Sequence, residues 1–190
     1  MKKILFLSSC ILISVPLLSH ASEREHTWLT TDLSAGYVFK HDCRFKDVYG
    51  RGMVNIITAD GCYYPWSFLG FGAKLSYWRA HGHTTFLQLR AHAQEVPFTL
   101  YVRGIKEFEC RLQLYGSLGA GFAWIKENSY LGDVRLYKGI GELEIGLRYP
   151  VWRCLTLMSA FRYAFPPQTQ VGKKFDVGGC DLRAGIGLTF

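Results

Sequence analysis

The last nine residues of the chain read Leu182-Arg183-Ala184-Gly185-Ile186-Gly187-Leu188-Thr189-Phe190. Their side chains alternate strictly between two kinds. Every even-numbered residue is apolar, while the odd-numbered residues between them are charged, hydroxylated or glycine. A period of two indicates a β-strand with one face against an apolar medium. The chain therefore ends in a strand whose two faces meet different surroundings.

The same alternation recurs along the chain before this strand. In Leu143–Tyr149 the odd-numbered residues are bulky and apolar, and in Leu112–Trp124 the even-numbered residues are mostly apolar. Further alternating segments occupy residues 32–40, 69–77, 98–103 and 156–163. Met53–Tyr64 is extended and β-branched but alternates poorly, so its register is not predicted. No helical period of useful length is present. About eight antiparallel strands follow from this pattern.

The direction of the apolar face decides between two barrels. A soluble lipocalin-like barrel would turn it inward, whereas a membrane barrel turns it toward lipid. Here the opposite face carries glycine, serine, threonine and single charges of both signs, which suit a narrow lumen filled with ion pairs. We favour the membrane barrel, and the soluble barrel remains the alternative. The predicted lumen charges are Asp32, Lys40, Lys74, Arg103, Glu142, Glu144, Arg148, Arg162, Asp181 and Arg183.

Strand length and composition agree with a membrane barrel. A transmembrane strand needs about 9–11 residues, which these segments supply, and a closed barrel satisfies every backbone polar group within lipid. The chain is 49% hydrophobic and 15% aromatic but only 19% charged. The predicted fold class is all-β, an eight-stranded antiparallel transmembrane up-and-down β-barrel.

These segments resemble the small eight-stranded outer-membrane barrels of Gram-negative bacteria, the group of the opacity proteins and of outer-membrane proteins W and A. The terminal pattern of Leu182, Ala184, Ile186, Leu188 and Phe190 is similar to their assembly signal, which the barrel-assembly machinery reads. Val96–Val102 followed by Tyr115–Gly121 resembles paired strands of the group. The resemblance implies this fold, the outer membrane of a Gram-negative bacterium, and the assembly machinery and membrane lipid as partners.

The first residues predict export. Lys2 and Lys3 precede an apolar stretch, and Ser19-His20-Ala21 suits a signal peptidase. We expect a cleaved signal peptide over residues 1–21 and one barrel domain over residues 22–190. A lipobox ending at Cys10 is the weaker alternative. The formal net charge is +7, but the cations are scattered and no nucleic-acid partner is expected.

The connections are expected to differ in length at the two ends of the barrel. Short periplasmic turns are predicted at residues 64–66, 106–111 and 150–154. Longer external loops are predicted at residues 41–52, 79–93, 126–138 and 166–176. Short turns on one side and long loops on the other are usual in outer-membrane barrels.

Few residues point to site chemistry. His81, His83 and His92 would lie on an external loop, but the set lacks the ligand spacing of a metal site. The glycine pairs at residues 70/72, 119/121 and 185/187 lack the strand-to-helix context of a phosphate loop. Asp32, Glu142 and Glu144 are more consistent with a salt-bridge network than with acid–base catalysis. We therefore expect no cofactor, no metal and no catalysis.

Five cysteines remain after signal removal: Cys43, Cys62, Cys110, Cys154 and Cys180. Their odd number leaves at least one thiol over in an oxidising compartment. They are free thiols, or they cross-link the protein to other envelope proteins, as in the disulfide-linked outer envelope of chlamydia-like bacteria, which this feature resembles.

The predicted role is structural, surface-exposed or adhesive. Two alternatives remain for a barrel of this size. One is a narrow pore for small or hydrophobic solutes, and the other is a lipid-modifying outer-membrane enzyme. With about eight strands the interior is only wide enough for side chains, which favours a plugged barrel.

Overall fold

The described part of the chain forms eight strands and one short helix. The computed structural model describes residues 28–40, 43–49, 52–83, 90–129, 132–165 and 178–190. The predicted signal peptide and Cys10 lie outside them. The elements are β1 (Trp28–Phe39), α1 (Cys43–Tyr49), β2 (Met53–Trp66), β3 (Leu69–His83), β4 (Arg90–Glu107), β5 (Gln113–Ser129), β6 (Gly132–Pro150), β7 (Leu155–Phe165) and β8 (Gly179–Thr189).

The eight strands close into one ring. Each strand pairs antiparallel with the next in sequence, and β8 returns to pair with β1, from Thr30 opposite Thr189 to Phe39 opposite Cys180. Closure leaves no unpaired sheet edge, as a strand surrounded by lipid requires. The predicted eight-stranded up-and-down barrel is confirmed.

The outer surface is apolar and the inner surface is polar at its centre. Large hydrophobic side chains stand on the outside, such as Leu118, which is 63% exposed, and Leu100, which is 59% exposed. Outward aromatic residues lie at both ends of the strands, including Tyr37 and Phe39 at one end of β1 and Trp66 at the opposite end of β2. An apolar band between two aromatic girdles is typical of transmembrane barrels.

The two ends of the barrel are named here by their connections. The turn end holds the short connections, at residues 67–68, 108–112 and 151–154. The first of these differs from the prediction, because Tyr64, Pro65 and Trp66 belong to β2, where the register shifts between Tyr63 and Trp66. The bulge lets the strand continue past a proline that donates no ladder hydrogen bond.

The opposite end, the loop end, carries longer strands than expected. Most of the predicted loops at residues 79–93 and 126–138 is strand, with Arg79 opposite Gln94 and Lys126 opposite Arg135. The outward residues of these extensions are largely polar, so the outward apolar row that reveals the other strands is missing. The predicted loop at residues 166–176 lies outside the described residues.

The first loop-end connection contains a helix that the sequence pattern did not reveal. Residues Cys43–Tyr49 form α1, where an irregular loop was predicted. Seven residues are too short for a helical period to show, and α1 exists because Phe45 packs against Trp78 inside the barrel mouth, with ring centroids 5.9 Å apart. Among the described residues, no helix is long and apolar enough to cross a membrane.

The register of β2, which the sequence left open, follows the same rule as the other strands. Val54, Ile56, Thr58, Asp60, Cys62 and Tyr64 all point inward. The pattern was obscured because Val54 and Ile56 face an apolar part of the lumen, around α1. Apolar residues therefore occupy both faces of β2 at the loop end.

Glycine makes room for the two tyrosines that cross the lumen. Gly72 is the register partner of Tyr101, and Gly146 is the partner of Tyr115. A Cβ atom on Gly72 would lie 2.4 Å from the Tyr101 ring and 2.4 Å from the carbonyl oxygen of Gly61. Each tyrosine ring can therefore lie over a glycine, which is a known way to protect glycine within a sheet.

This contact predicts the effect of one added methyl group. Gly72→Ala is expected to lower the free energy of unfolding by about 1–3 kcal/mol, the usual cost of overpacking. Urea unfolding of the barrel in lipid vesicles, followed by tryptophan fluorescence, measures it. Gly116→Ala is the matched control, because a Cβ there meets only a backbone oxygen at 3.9 Å. Equal stability of the two variants would contradict the proposed packing.

Candidate functional site: the charged lumen

Among the residues that the structure describes, twelve charged side chains are buried inside the barrel. All ten residues of the predicted lumen set are among them, together with Asp60 and Glu95, which the sequence analysis missed. Asp60 was not predicted because β2 alternates poorly. Glu95 was not predicted because it precedes the segment that was recognised as a strand. With these two acids, the lumen holds six acids and six bases, whereas the predicted set had four acids and six bases. The acids are Asp32, Asp60, Glu95, Glu142, Glu144 and Asp181, and the bases are Lys40, Lys74, Arg103, Arg148, Arg162 and Arg183.

Six of these groups form a closed ring of alternating charge. Lys74 Nζ lies 2.5 Å from Glu144 Oε2 and 2.8 Å from Glu142 Oε1. Arg162 bridges Glu142 and Asp181: its Nη1 lies 3.1 Å from Glu142 Oε2, and its Nε lies 2.5 Å from Asp181 Oδ2. Arg183 completes the ring, since it contacts Asp181 Oδ1 at 2.7 Å and also Glu144. The ring joins β3 to β6, β7 and β8 across the lumen.

A branch connects the ring to the remaining strands. Arg103 Nη2 lies 2.6 Å from Asp60 Oδ2 and 3.5 Å from Glu144 Oε1. Its Nη1 lies 3.6 Å from Asp32, whose other oxygen accepts a hydrogen bond from Arg148 at 2.9 Å. From β5, the Tyr115 hydroxyl donates to Glu144 at 3.2 Å. Every strand therefore contributes a side chain to one connected network.

The guanidinium of Arg103 is held between two aromatic rings. Its central carbon lies 4.6 Å from the Tyr101 ring centroid and 4.4 Å from that of Tyr115. The Tyr101 hydroxyl also donates a hydrogen bond to Asp60 at 3.1 Å. A planar cation suits such stacking better than an ammonium group does. The rings and the ion pairs together restrict Arg103 to one position.

Toward the turn end, the network rests on an uncharged layer. Cys62, Tyr64, Ile105, Met158 and Ala160 form one buried cluster with the two lumen tyrosines. Trp28 packs edge-on against Tyr64, with ring centroids 5.3 Å apart. This layer fills the lumen below the charges.

Toward the loop end, a second apolar cluster forms around α1. Phe45 and Tyr49 from the helix pack with Trp78 and other inward residues of β1 to β4. The Tyr49 hydroxyl donates to Glu127 Oε1 at 3.2 Å; burial, reinforced by this carboxylate, raises the pKa of Tyr49, so the phenol stays protonated. Near this cluster, Lys40 pairs with Glu95 at 3.1 Å. The helix thus covers the lumen from above.

The arrangement suits structural support better than acid–base chemistry. The three carboxylates considered for catalysis, Asp32, Glu142 and Glu144, each contact at least one arginine or lysine within 2.9 Å. A buried pair that loses one partner leaves an uncompensated charge, at a cost of about 3–5 kcal/mol. The network therefore holds the strands in one register rather than presenting a reactive group.

The other predicted residues lie at the surface or at the ends of the barrel. Leu182, Ala184, Ile186, Leu188 and Phe190, the predicted assembly signal, are all exposed on the outer face, and Phe190 pairs with Leu29 through its backbone. His81 and His92 are register partners at the loop end, with their Nδ1 atoms 2.6 Å apart. His83 stands opposite Arg90 instead. Sequence spacing placed the three histidines in a loop, but only two of them meet.

The cysteines are distributed over the whole barrel. Cys110 and Cys154 are exposed at the turn end, while Cys62 is fully buried in the lumen. Cys180 faces outward near the loop end, opposite Phe39. Cys43 begins α1. No disulfide joins the cysteines whose side chains the structure describes.

Comparison with known proteins supports the fold alone. No protein-family model and no curated protein matches the sequence. Among solved structures, neisserial surface protein A superposes with a TM-score of 0.61 at 12% identity, and the match covers 87% of this chain and 100% of that protein. OprG of Pseudomonas aeruginosa gives 0.63 at 13% identity, covering 88% and 97%. Ail, the attachment invasion locus protein of Yersinia pestis, gives 0.54 at 16%, covering 88% and 100%.

The ring of alternating charge predicts a large effect of neutralising its central acid. Glu144→Gln is expected to destabilise the barrel by about 3–5 kcal/mol, because Lys74 and Arg183 lose a shared partner. Equilibrium urea unfolding in lipid vesicles measures the loss. Glu107→Gln, at an exposed turn-end position, is the control and should change stability by less than about 0.5 kcal/mol.

A second variant tests whether the loss arises from Lys74. Lys74→Met combined with Glu144→Gln should cost clearly less than the two single changes added together, because the pair is removed as a unit. Strict additivity would contradict the assigned ion pair.

Proposed function

We propose that this chain is an integral outer-membrane β-barrel that supports the envelope and presents its loop end at the cell surface, without catalysis. The outward apolar band between aromatic girdles supports a position in the membrane. The short turns lie at the same end as the start of β1 and the end of β8. This arrangement supports an orientation with the turn end in the periplasm. The solved structures that share the fold include a neisserial surface protein and an outer membrane protein of Pseudomonas aeruginosa.

The single observation that carries the structural role is the neutral, filled lumen. Six acids and six bases pair inside the barrel, with an apolar layer on each side of them. A pore of this width would need a continuous column of water along the barrel axis, which the apolar layers interrupt. This favours support and surface presentation over the narrow-pore alternative.

The same observation argues against a lipid-modifying enzyme. General acid–base or nucleophilic catalysis requires a group that is accessible to substrate. The lumen carboxylates are engaged with arginines and lysines and are shielded from lipid by the barrel wall. If cells that express the chain lost or gained an acyl chain on lipid A, the enzyme alternative would replace this proposal.

Assembly of the barrel is proposed to use the terminal strand. Leu182, Ala184, Ile186 and Leu188 form an outward apolar row that ends at Phe190. β8 is also the strand that closes the ring against β1. A row of this kind on the last strand supports recognition by the barrel-assembly machinery before closure.

The filled lumen predicts the absence of channel activity. In planar lipid bilayers, folded protein is expected to show no sustained conductance steps, because the charge ring closes the centre of the barrel. Phe45→Ala, which loosens only the loop-end cluster, should remain closed as well. Heat-dependent mobility on gels confirms that both samples are folded. Sustained steps from the unmodified protein would establish a pore instead.

A second role, cross-linking within the envelope, is supported by the turn-end thiols. Cys110 and Cys154 are both exposed, and they lie in two different turns of the same end. Successive turns are two strands apart, about 10 Å, whereas a disulfide needs Cα atoms within about 7 Å. Pairing with another protein is therefore easier than pairing with each other. We propose other periplasm-facing envelope proteins as the partners.

Electrophoresis without reductant tests this role. Envelopes are expected to show high-mass bands that collapse to monomer with dithiothreitol, and Cys110→Ser with Cys154→Ser should abolish them. Cys62→Ser is the matched control, because that thiol is fully buried and should leave the bands unchanged. A monomer band in unreduced samples, or bands that persist in the double variant, would refute cross-linking through these turns.

A further inference from the structure

The β3–β4 hairpin brings two imidazoles into direct contact outside the barrel. His81 on β3 and His92 on β4 stand opposite each other in the ladder, with Nδ1 atoms 2.6 Å apart. Their rings are nearly perpendicular, at 86°, with centroids 4.7 Å apart. His81 is exposed and His92 is half-buried, and the pair lies beyond the outward Tyr77 toward the loop end.

The contact constrains the protonation of the pair. At this separation one nitrogen must carry the proton and the other must offer its lone pair. Two neutral imidazoles meet that condition, whereas two imidazolium rings would repel each other. For both Nδ1 atoms to bind a metal, the donor ring exchanges tautomer through water: its Nδ1 gives up the shared proton and its Nε2 takes one, so each ring stays neutral, the form in which histidine binds metals.

The spacing favours one coordination geometry. With metal–nitrogen bonds of about 2.0 Å, two neighbouring ligands of a square plane lie about 2.8 Å apart, and two ligands of a tetrahedron about 3.3 Å apart. The observed Nδ1–Nδ1 separation is 2.6 Å. It would have to widen by about 0.2 Å for a square plane and by about 0.7 Å for a tetrahedron. Square-planar coordination by nitrogen is characteristic of Cu²⁺ and Ni²⁺, and Cu²⁺ binds more strongly in the divalent series.

We propose that His81 and His92 form a surface site for Cu²⁺, with the two Nδ1 atoms as cis ligands and water completing the coordination. Antiparallel pairing of β3 and β4 holds the two ligands in place before the metal arrives, so little ordering is needed. Asn128, the register partner of His92 on β5, offers a further oxygen donor on the same face. Arg79, two residues before His81 on that face, opposes a cation and limits the affinity.

His83 offers an internal control for this site. It lies on the same strand and face as His81, but its register partner is Arg90 rather than a histidine. A single imidazole without a second ligand binds Cu²⁺ weakly. Replacing His83 therefore shows whether copper binding depends on the His81–His92 pair or only on the number of histidines nearby.

Copper titration of the untagged, folded barrel in detergent tests the proposal, in a Cys110→Ser/Cys154→Ser background that removes the exposed thiols with which Cu²⁺ reacts. Calorimetry is expected to show one site, and electron paramagnetic resonance should show hyperfine coupling from two nitrogens. His81→Ala and His92→Ala should each weaken binding by at least about tenfold and leave one nitrogen or none in the spectrum. His83→Ala should leave both measurements unchanged.

The contrary outcomes are equally clear. Unchanged copper affinity in the His81→Ala/His92→Ala variant would overturn the site, as would an equal loss in His83→Ala. Heat-dependent gel mobility establishes that each variant is folded, so a loss of binding cannot be attributed to misassembly. Zn²⁺ in place of Cu²⁺ should bind more weakly, since it requires the wider tetrahedral separation.

Discussion

Charge compensation inside the lumen is the constraint on which the rest of this barrel depends. Its outer wall is apolar, so the polar and charged side chains point inward, into a space too narrow to hydrate them. Six acids and six bases meet there, and ten of these twelve belong to one connected network. A one-residue slip of any strand would turn its inward charges toward lipid. Ion pairing thus specifies the register that backbone hydrogen bonds alone leave open.

The interior changes character along the barrel axis, and each layer accounts for a different feature of the sequence. Tyr101 and Tyr115 reach across the lumen to hydrogen-bond the central carboxylates. Their rings need small neighbours in the barrel wall, and Gly72 and Gly146 stand at those positions. The apolar layer at the loop end requires a cover, which Phe45 and Tyr49 supply from α1. The barrel is therefore closed by its own side chains, in three layers with different chemistry.

Sequence alone predicted the parts of the fold in which the two faces differ. Strand β1 and the central parts of β3 to β8 alternate clearly between apolar and small or charged residues, so the inward charges there were identified. In β2 the inward Val54 and Ile56 resemble the outward residues, and Asp60 was missed with them. In the hairpin extensions the outward face is no longer apolar, so Glu95 and the contact of His81 with His92 were hidden. Periodicity reports a difference between two environments, and it is silent where the environments are alike.

A lumen whose charges compensate one another confines chemistry to the two rims. The exposed thiols of Cys110 and Cys154 lie at one rim, and the paired imidazoles of His81 and His92 lie at the other. In the proposed orientation these rims face different compartments, the periplasm and the cell exterior. The long strands β3 to β6 matter for this reason: they extend hydrogen-bonded structure beyond the apolar band and hold side chains there in fixed register. The rigid interior thus supplies two positioned surfaces that are separated by the membrane.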